Sequence, residues 1–241
     1  MTRIDLNCDV GEAMGNDAAI MPWITSANIA CGAHAGDEAT MRETVALARA
    51  FGVSVGAHPG FADRANFGRK EIALTPQEIE RLVTKQVAAL CGMADVRHVK
   101  PHGALYNLAA REWVVAEAIA RAVRGVDERL ILFGLAGSEL VRAGRAGGLR
   151  VAEEGFGDRR YGAGGALVPR SEARAMIEDE AEAVAQVLRM VREGSVRAVE
   201  GTEVRIAVDT ICVHGDGAHA VEFARRIREE LEKAGVTVVA G

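Results

Sequence analysis

The sequence predicts an α/β fold of parallel strands covered by helices, and three observations predict it. Short apolar runs alternate along the chain with amphipathic stretches of helical period, the pattern of repeated βα units. Most of those runs end directly in a cluster of glycines and polar residues. The chain has 241 residues, 49% of them hydrophobic, which suits one large core in a single barrel or doubly wound domain over residues 1–241. No linker, low-complexity tract or internal repeat divides it.

Taken in order, strands are expected at residues 4–8, 27–31, 53–57, 97–101, 130–135, 149–153 and 210–214, with a short last one at 236–239. The helices between them carry start and stop signals. Thr75-Pro76-Gln77-Glu78 offers an N-cap hydroxyl, a proline at the first helical position and a glutamate at the third. Ile79, Leu82, Val83, Gln86, Val87 and Leu90 follow at helical spacing, apolar except for Gln86. A second helix is expected to open at Ser171, to place Ile177, Ala181, Val184, Leu188 and Val191 on one face, and to stop at Gly194. A third is expected to begin near Asp216 and to bury Val221, Ala224, Ile227 and Leu231 before Gly235.

Composition excludes several classes. The formal net charge is -5 and no basic stripe is present, so nucleic acid is not an expected partner. No apolar run approaches the ~20 residues needed to span a bilayer. The N-terminus reaches Asp5 at once and does not read as a signal peptide, so a cytoplasmic location is expected. The four cysteines, Cys8, Cys31, Cys91 and Cys212, show no CxxC pairing. They are expected to be reduced, small, half-buried apolar residues. GxxxxGK[ST] and GxSxG are both absent, so the chain offers neither the usual ATP cradle nor a serine nucleophile of that kind.

The chemistry gathers at the strand ends. The first run leads to Asn7, Asp9, Gly11 and Glu12. The second contains Asn28 and leads to Cys31-Gly32-Ala33-His34-Ala35-Gly36-Asp37. The third ends in Gly56-Ala57-His58-Pro59-Gly60, and the fourth in Lys100-Pro101-His102-Gly103. The sixth leads to Glu153, Glu154 and Gly155 through Tyr161, and the seventh to His214-Gly215-Asp216-Gly217. In a parallel α/β fold these carboxyl ends share one face, and that face holds the site. Five glycines between Gly155 and Gly165 suit either a mobile lid or a plain surface loop.

Asp9 and Glu12 suit general acid/base work or a hard cation; a turn aspartate beside a solvated glutamate is the plainer alternative. His34, His58, His102 and His214 each follow a strand and can bind a metal, shuttle protons or hold a substrate. No tight ligand spacing supports a metal. His98 and His219 are read as structural. Lys100, at an apolar strand end, suits a carboxylate or a developing oxyanion. Asp37 and Asp216 suit helix N-caps. Arg170, at an expected helix start where the dipole disfavours cations, suggests an anionic ligand.

The segments 5–12, 28–37, 56–60, 99–107, 167–170 and 212–216, in this order, resemble the LamB/YcsF family over residues 5 to about 225. Departures from the family pattern are Asn66 and Lys70 around Phe67-Gly68-Arg69, Gly157 before Asp158, and Gly164 where an acidic residue is frequent. The resemblance implies a distorted (β/α) barrel similar to that of polysaccharide deacetylases. The family includes the A subunit of the bacterial ATP-dependent 5-oxoprolinase, which works with subunits B and C. The implied activity is therefore opening of the 5-oxoproline lactam to glutamate at the cost of ATP, with the nucleotide handled together with those partners. On that chemistry Asp9, with Glu12, is expected to act as base, and Lys100 and His102 to stabilise the oxyanion or assist the leaving group. Asn7, Asn28, His34, His58 and His214 are expected to position water or substrate, or the histidines to bind a divalent metal. Arg170 is expected to clamp the substrate carboxylate. A stand-alone metal-dependent deacetylase-like hydrolase and a non-catalytic lactam-binding subunit remain as alternatives.

Overall fold

A computed structural model describes residues 2–214 and 220–241 of the chain. Its elements, in chain order, are β1 (Arg3–Val10), α1 (Asp17–Ile20), β2 (Ser26–Ala30), α2 (Glu38–Phe51), β3 (Ser54–His58), α3 (Pro76–Cys91) and β4 (His98–Val99). There follow α4 (Gly103–Arg111), α5 (Trp113–Val126), β5 (Ile131–Leu135), α6 (Glu139–Ala146), β6 (Arg150–Phe156) and α7 (Glu180–Glu193). The chain ends with β7 (Ser195–Arg197), β8 (Glu203–Arg205), β9 (Thr210–Val213), α8 (Ala220–Lys233) and β10 (Thr237–Val238).

Strands β1, β2, β3, β4, β5, β6 and β9 pair in that order, all in parallel, and β9 pairs back onto β1. The sheet is thus a closed barrel of seven parallel strands with no free edge. β10 adds in parallel to the start of β1, and β7 and β8 form a separate antiparallel hairpin.

The alternation along β1 decides what fills the barrel. Leu6, Cys8 and Val10 join the apolar core shared with the helices. Asp5, Asn7 and Asp9, on the other face, are buried too and are hydrogen-bonded to side chains of β9, β6 and β2. A strand with both faces covered is buried throughout. Here one covered face is polar, so β1 lays a hydrogen-bonded polar ladder along the barrel interior.

The helix signals hold where local chemistry is strong. Thr75 and Glu78 form a reciprocal capping box at the start of α3. Asp37 caps α2, accepting from the Thr40 N–H at 2.8 Å, and Gly194 ends α7 in the left-handed region. α8 buries Ala224, Ile227 and Leu231, with Val221 half-buried; its expected start at Asp216, like His219, lies outside the described residues. The helix expected from Ser171 is a correction. Residues 171–179 are not helical, and α7 starts only at Glu180, capped by Asp179. The competing force is sheet-like pairing: Arg160 N–H donates to Ala175 O and Ile177 N–H to Asp158 O, both at 2.9 Å. Arg170 therefore does not stand at a helix start.

Gly56 shows how tightly the ladder is packed. A Cβ built there would come 2.0 Å from the His98 ring nitrogen Nε2, so the glycine makes room for that ring inside the barrel. Gly56→Ala is expected to lower stability by about 3 kcal/mol, read by chemical denaturation; a cost below about 1 kcal/mol would contradict this packing.

Candidate active site

The carboxyl ends of the strands open into a cavity of about 620 Å³. Its floor includes Asp9, Glu12, His58, Lys100, His102 and His214, brought together from β1, β3, β4 and β9 and the residues just beyond them.

Lys100 is the centre of the charge network. It is 2% exposed, and its Nζ lies 2.8 Å from Glu154 Oε1, 3.0 Å from Asp9 Oδ1, 3.2 Å from Asn7 Oδ1 and 2.9 Å from Cys212 Sγ. Burial works to lower its pKa, but Asp9, Cys212 and Glu154 outweigh it and hold the ammonium well above its ordinary value. Asp9 mirrors this. Burial pushes its carboxyl up, yet His58 and Lys100 together hold it well below the usual carboxylate range. The site thus contains a fixed buried cation between carboxylates, an arrangement that demands good geometry to repay desolvation.

Two asparagines supply that geometry. Asn28 Nδ2 donates to Asp9 Oδ1 and to Asn7 Oδ1, each at 2.8 Å. Asn7 Nδ2 donates to Glu154 Oε1 at 3.0 Å and to Thr210 Oγ1 at 2.7 Å. Asn7 and Asn28 are fully buried and do not line the cavity; they brace Asp9, Lys100 and Glu154 from behind. The Tyr106 hydroxyl donates to Glu154 Oε2 at 2.6 Å.

The histidines fall into two groups. His34, His58 and His102 cluster, with the His34 and His102 rings stacked at 3.8 Å. His58 Nε2 lies 3.3 Å from Asp9 Oδ2, and His34 Nε2 lies 3.4 Å from Glu12 Oε1. Glu12, His34, His58 and His102 each offer one ligand atom, all within 4.8 Å of one another, so these four residues can hold a metal ion. His214 stands apart, its Nδ1 held by both Asp158 oxygens at 2.9 Å. That carboxylate orients the ring over the cavity. Burial raises the Asp158 carboxyl, but His214 outweighs it and the net shift is downward.

Cations line the upper wall. Arg159 and Arg170 both face the cavity. Arg159 is buried, donates to Val168 O at 2.6 Å, and is lowered to about 10 by burial and then by the nearby Arg170. The glycine-rich segment builds part of this wall through Gly164 and Gly165. Gly155 and Gly157 instead serve close packing, a Cβ at the first coming 2.8 Å from Met190 Sδ.

Every site residue expected from the sequence lies in or directly beneath this cavity: Asp9, Glu12, His58, Lys100, His102, Arg170 and His214 line it, and Asn7, Asn28 and His34 lie behind it. Sequence reasoning missed Tyr106, Glu154, Asp158, Arg159 and Cys212. Tyr106 sits four residues after His102, one helical turn along α4, which is a readable signal. Glu154 was visible in the strand-end cluster but indistinguishable there from Glu153. His98, read as structural, is part of the ladder: its Nε2 lies 2.8 Å from Asn28 Oδ1 and its ring stacks on Phe133.

His98 also gives the barrel an acid-sensitive element. Burial, and then Lys100, lower its pKa to about 3. An unfolded histidine takes a proton near pH 6.5, so between there and about pH 3 the unfolded state binds more protons. Stability from this group is present above pH 6.5 and falls as pH drops. Urea unfolding at pH 7, 6 and 5 is expected to show His98→Gln losing stability less steeply than wild type, by up to about 1.4 kcal/mol per pH unit. Equal slopes would show that His98 does not make the barrel acid-sensitive.

Closed barrel, strand-end cavity and buried charge network together define a (β/α)-barrel protein with a polar ligand pocket. A deacetylase solved with its substrate shares this fold, with a TM-score of 0.51 at 15% identity over 99% of this chain and 87% of that one. The chain belongs to the LamB/YcsF family, whose model matches residues 4–241. It is 52% identical to the 5-oxoprolinase A subunit of Bacillus licheniformis, over 100% of this chain and 99% of that protein. The crystal structure of the lactam utilization protein from Thermus thermophilus superposes with a TM-score of 0.93 at 46% identity, covering 99% of this chain and 100% of that one. No helix among the described residues is long and apolar enough to cross a membrane.

Proposed function

We propose that the chain is the A subunit of an ATP-dependent 5-oxoprolinase and that its strand-end cavity opens the lactam ring of 5-oxoproline to give glutamate. The observation that carries this reading is full-length similarity to proteins named as that component. The geometry supports it, because the cavity joins a buried charge network to an arginine-lined wall, which suits a small polar substrate bearing a carboxylate.

An amide carbonyl is a poor electrophile, and phosphorylation of its oxygen makes the ring carbon attackable. In this reading ATP is spent on that step, with subunits B and C handling the nucleotide. Water then adds to the activated carbon, and the ring C–N bond breaks as nitrogen takes a proton. A second water hydrolyses the resulting acyl phosphate, releasing phosphate and glutamate.

Asp9, ionised and braced by Asn28, takes the water's proton together with its partner His58. Glu12 stands beside them as the second carboxylate. Lys100 and His102 face the charge that develops on oxygen. His214, fixed by Asp158, is placed to pass a proton to the leaving nitrogen. Arg170 on the wall holds the substrate carboxylate by a two-pronged contact.

The test sets two substrate classes side by side. The chain is given 5-oxoproline or an N-acetylated sugar oligomer, alone and with ATP and the B and C partners. Glutamate is expected only from 5-oxoproline in the complete mixture. Acetate released by the chain alone would replace this reading with a deacetylase-like one.

A further inference from the structure

We propose that Glu12, His34, His58 and His102 bind one divalent transition-metal ion, zinc fitting best, in the floor of the strand-end cavity. The proposal deepens the reading above by giving the same site a cofactor, and it rests on that reading only for the use made of the ion.

Hydrogen-bond polarity is the first ground. A backbone carbonyl oxygen can only accept. His58 Nδ1 lies 2.7 Å from Lys100 O and therefore donates, so in the neutral ring Nε2 presents a lone pair inward. His102 Nε2 lies 2.9 Å from Phe67 O, so its Nδ1 does the same. These two inward nitrogens are 2.9 Å apart. Two lone pairs facing each other at that distance need a shared proton or a bound metal ion between them, and the converging nitrogens are placed to take either.

Spacing is the second ground. Glu12 Oε1 lies 3.4 Å from His102 Nδ1, 3.4 Å from His34 Nε2 and 4.0 Å from His58 Nε2. Bonds of about 2.0–2.1 Å at tetrahedral angles put ligand atoms about 3.3 Å apart, and the separations here bracket that value. Three imidazoles and one carboxylate suit zinc and its first-row neighbours, whereas calcium and magnesium prefer oxygen ligands throughout.

His34 is the third ground. It is 1% exposed, and neither ring nitrogen has a hydrogen-bond partner. The ring is also locked in place: a Cβ at Gly60 would come 2.7 Å from its Nδ1, and one at Gly68 would come 2.8 Å from its Cβ. Glu12, His58 and His102 line the cavity, so an ion held there is reachable by substrate. When bound, it supplies a Lewis acid beside Asp9.

The test is metal binding by the chain itself. Chelator-stripped protein is titrated with Co²⁺, followed by its visible absorption, and then with Zn²⁺ in competition. One saturating equivalent is expected. His34→Gln and His102→Gln, each checked for folding by circular dichroism, are expected to weaken binding by at least about 10-fold. Absence of saturable uptake by the wild-type chain overturns the proposal, and so does unchanged affinity in both folded variants. Should the variants not fold, histidine ¹⁵N resonances of the wild-type chain decide: Zn²⁺ is expected to shift those of His34, His58 and His102, and shifts confined to other histidines overturn the site. None of these readouts involves 5-oxoproline turnover, so failure of the metal site and failure of the functional reading are told apart.

Discussion

Replacing Lys100 with Met is expected to lower glutamate formation by about 10³-fold and to cost the fold about 3–5 kcal/mol. The ammonium sits between Asp9 and Glu154 at 3.0 and 2.8 Å, and without it two buried carboxylates share a site with no cation. The two losses have different origins and can be separated. Adding Glu154→Gln removes one of the stranded charges, so the double variant should regain part of the lost stability on urea denaturation. It should regain no turnover, because the proposed mechanism needs the Lys100 charge at the reacting oxygen. A single variant that turns over as fast as wild type would remove Lys100 from the chemistry, and one as stable as wild type would mean the network is not the buried ion cluster described here.

Asp9→Asn is expected to lower turnover by about 10³-fold or more while the barrel stays folded. The substitution keeps the size of the side chain but removes the acceptor that faces His58 Nε2 at 3.3 Å and the charge that faces Lys100. It also places an amide among donors, since Asn28 Nδ2 already donates to Asp9 Oδ1. Lys100 retains Glu154 as an ion partner, so stability should fall less than in the Lys100 variant. Circular dichroism and thermal unfolding check the fold, and glutamate release in the reconstituted mixture checks the chemistry.

The fold was legible where a residue's neighbours in sequence decide its state. Runs such as Ile4 to Cys8 and Leu130 to Leu135 read as buried strands because both faces are covered. The α3 start read correctly because Thr75 and Glu78 satisfy each other's backbone groups without outside help. The site was legible for a topological reason: parallel strands bring all carboxyl ends to one face, so Asp9, His58, Lys100 and His214 could be grouped without knowing any distance. What failed depended on contacts across the chain. Residues 171–179 carry helix-compatible composition, but 171–175 fold as turns and bends, and hydrogen bonds to Asp158 and Arg160 fix Ile177 and Ala175 outside a helix. The signature Asp179-x-x-Glu182, which marks the true start of α7, was available and weaker than the apolar spacing that pointed upstream. Cys212 reads as a plain apolar strand residue, and only the register with Asn7 and Phe156 puts it against Lys100. Asp158 reads as a loop residue until His214, fifty-six positions later, closes on it.

The most direct measurement follows glutamate and ADP together in one sample of 5-oxoproline, ATP and the B and C partners. The sample is completed with the wild-type chain, with Asp9→Asn, or with no added chain, and assembly of each complex is verified by gel filtration. Glutamate is expected only with the wild-type chain, with the Asp9→Asn complex assembled but silent. An assembled Asp9→Asn complex that releases glutamate at the wild-type rate, or glutamate release with the chain left out, would contradict a ring-opening site at the strand ends of this barrel.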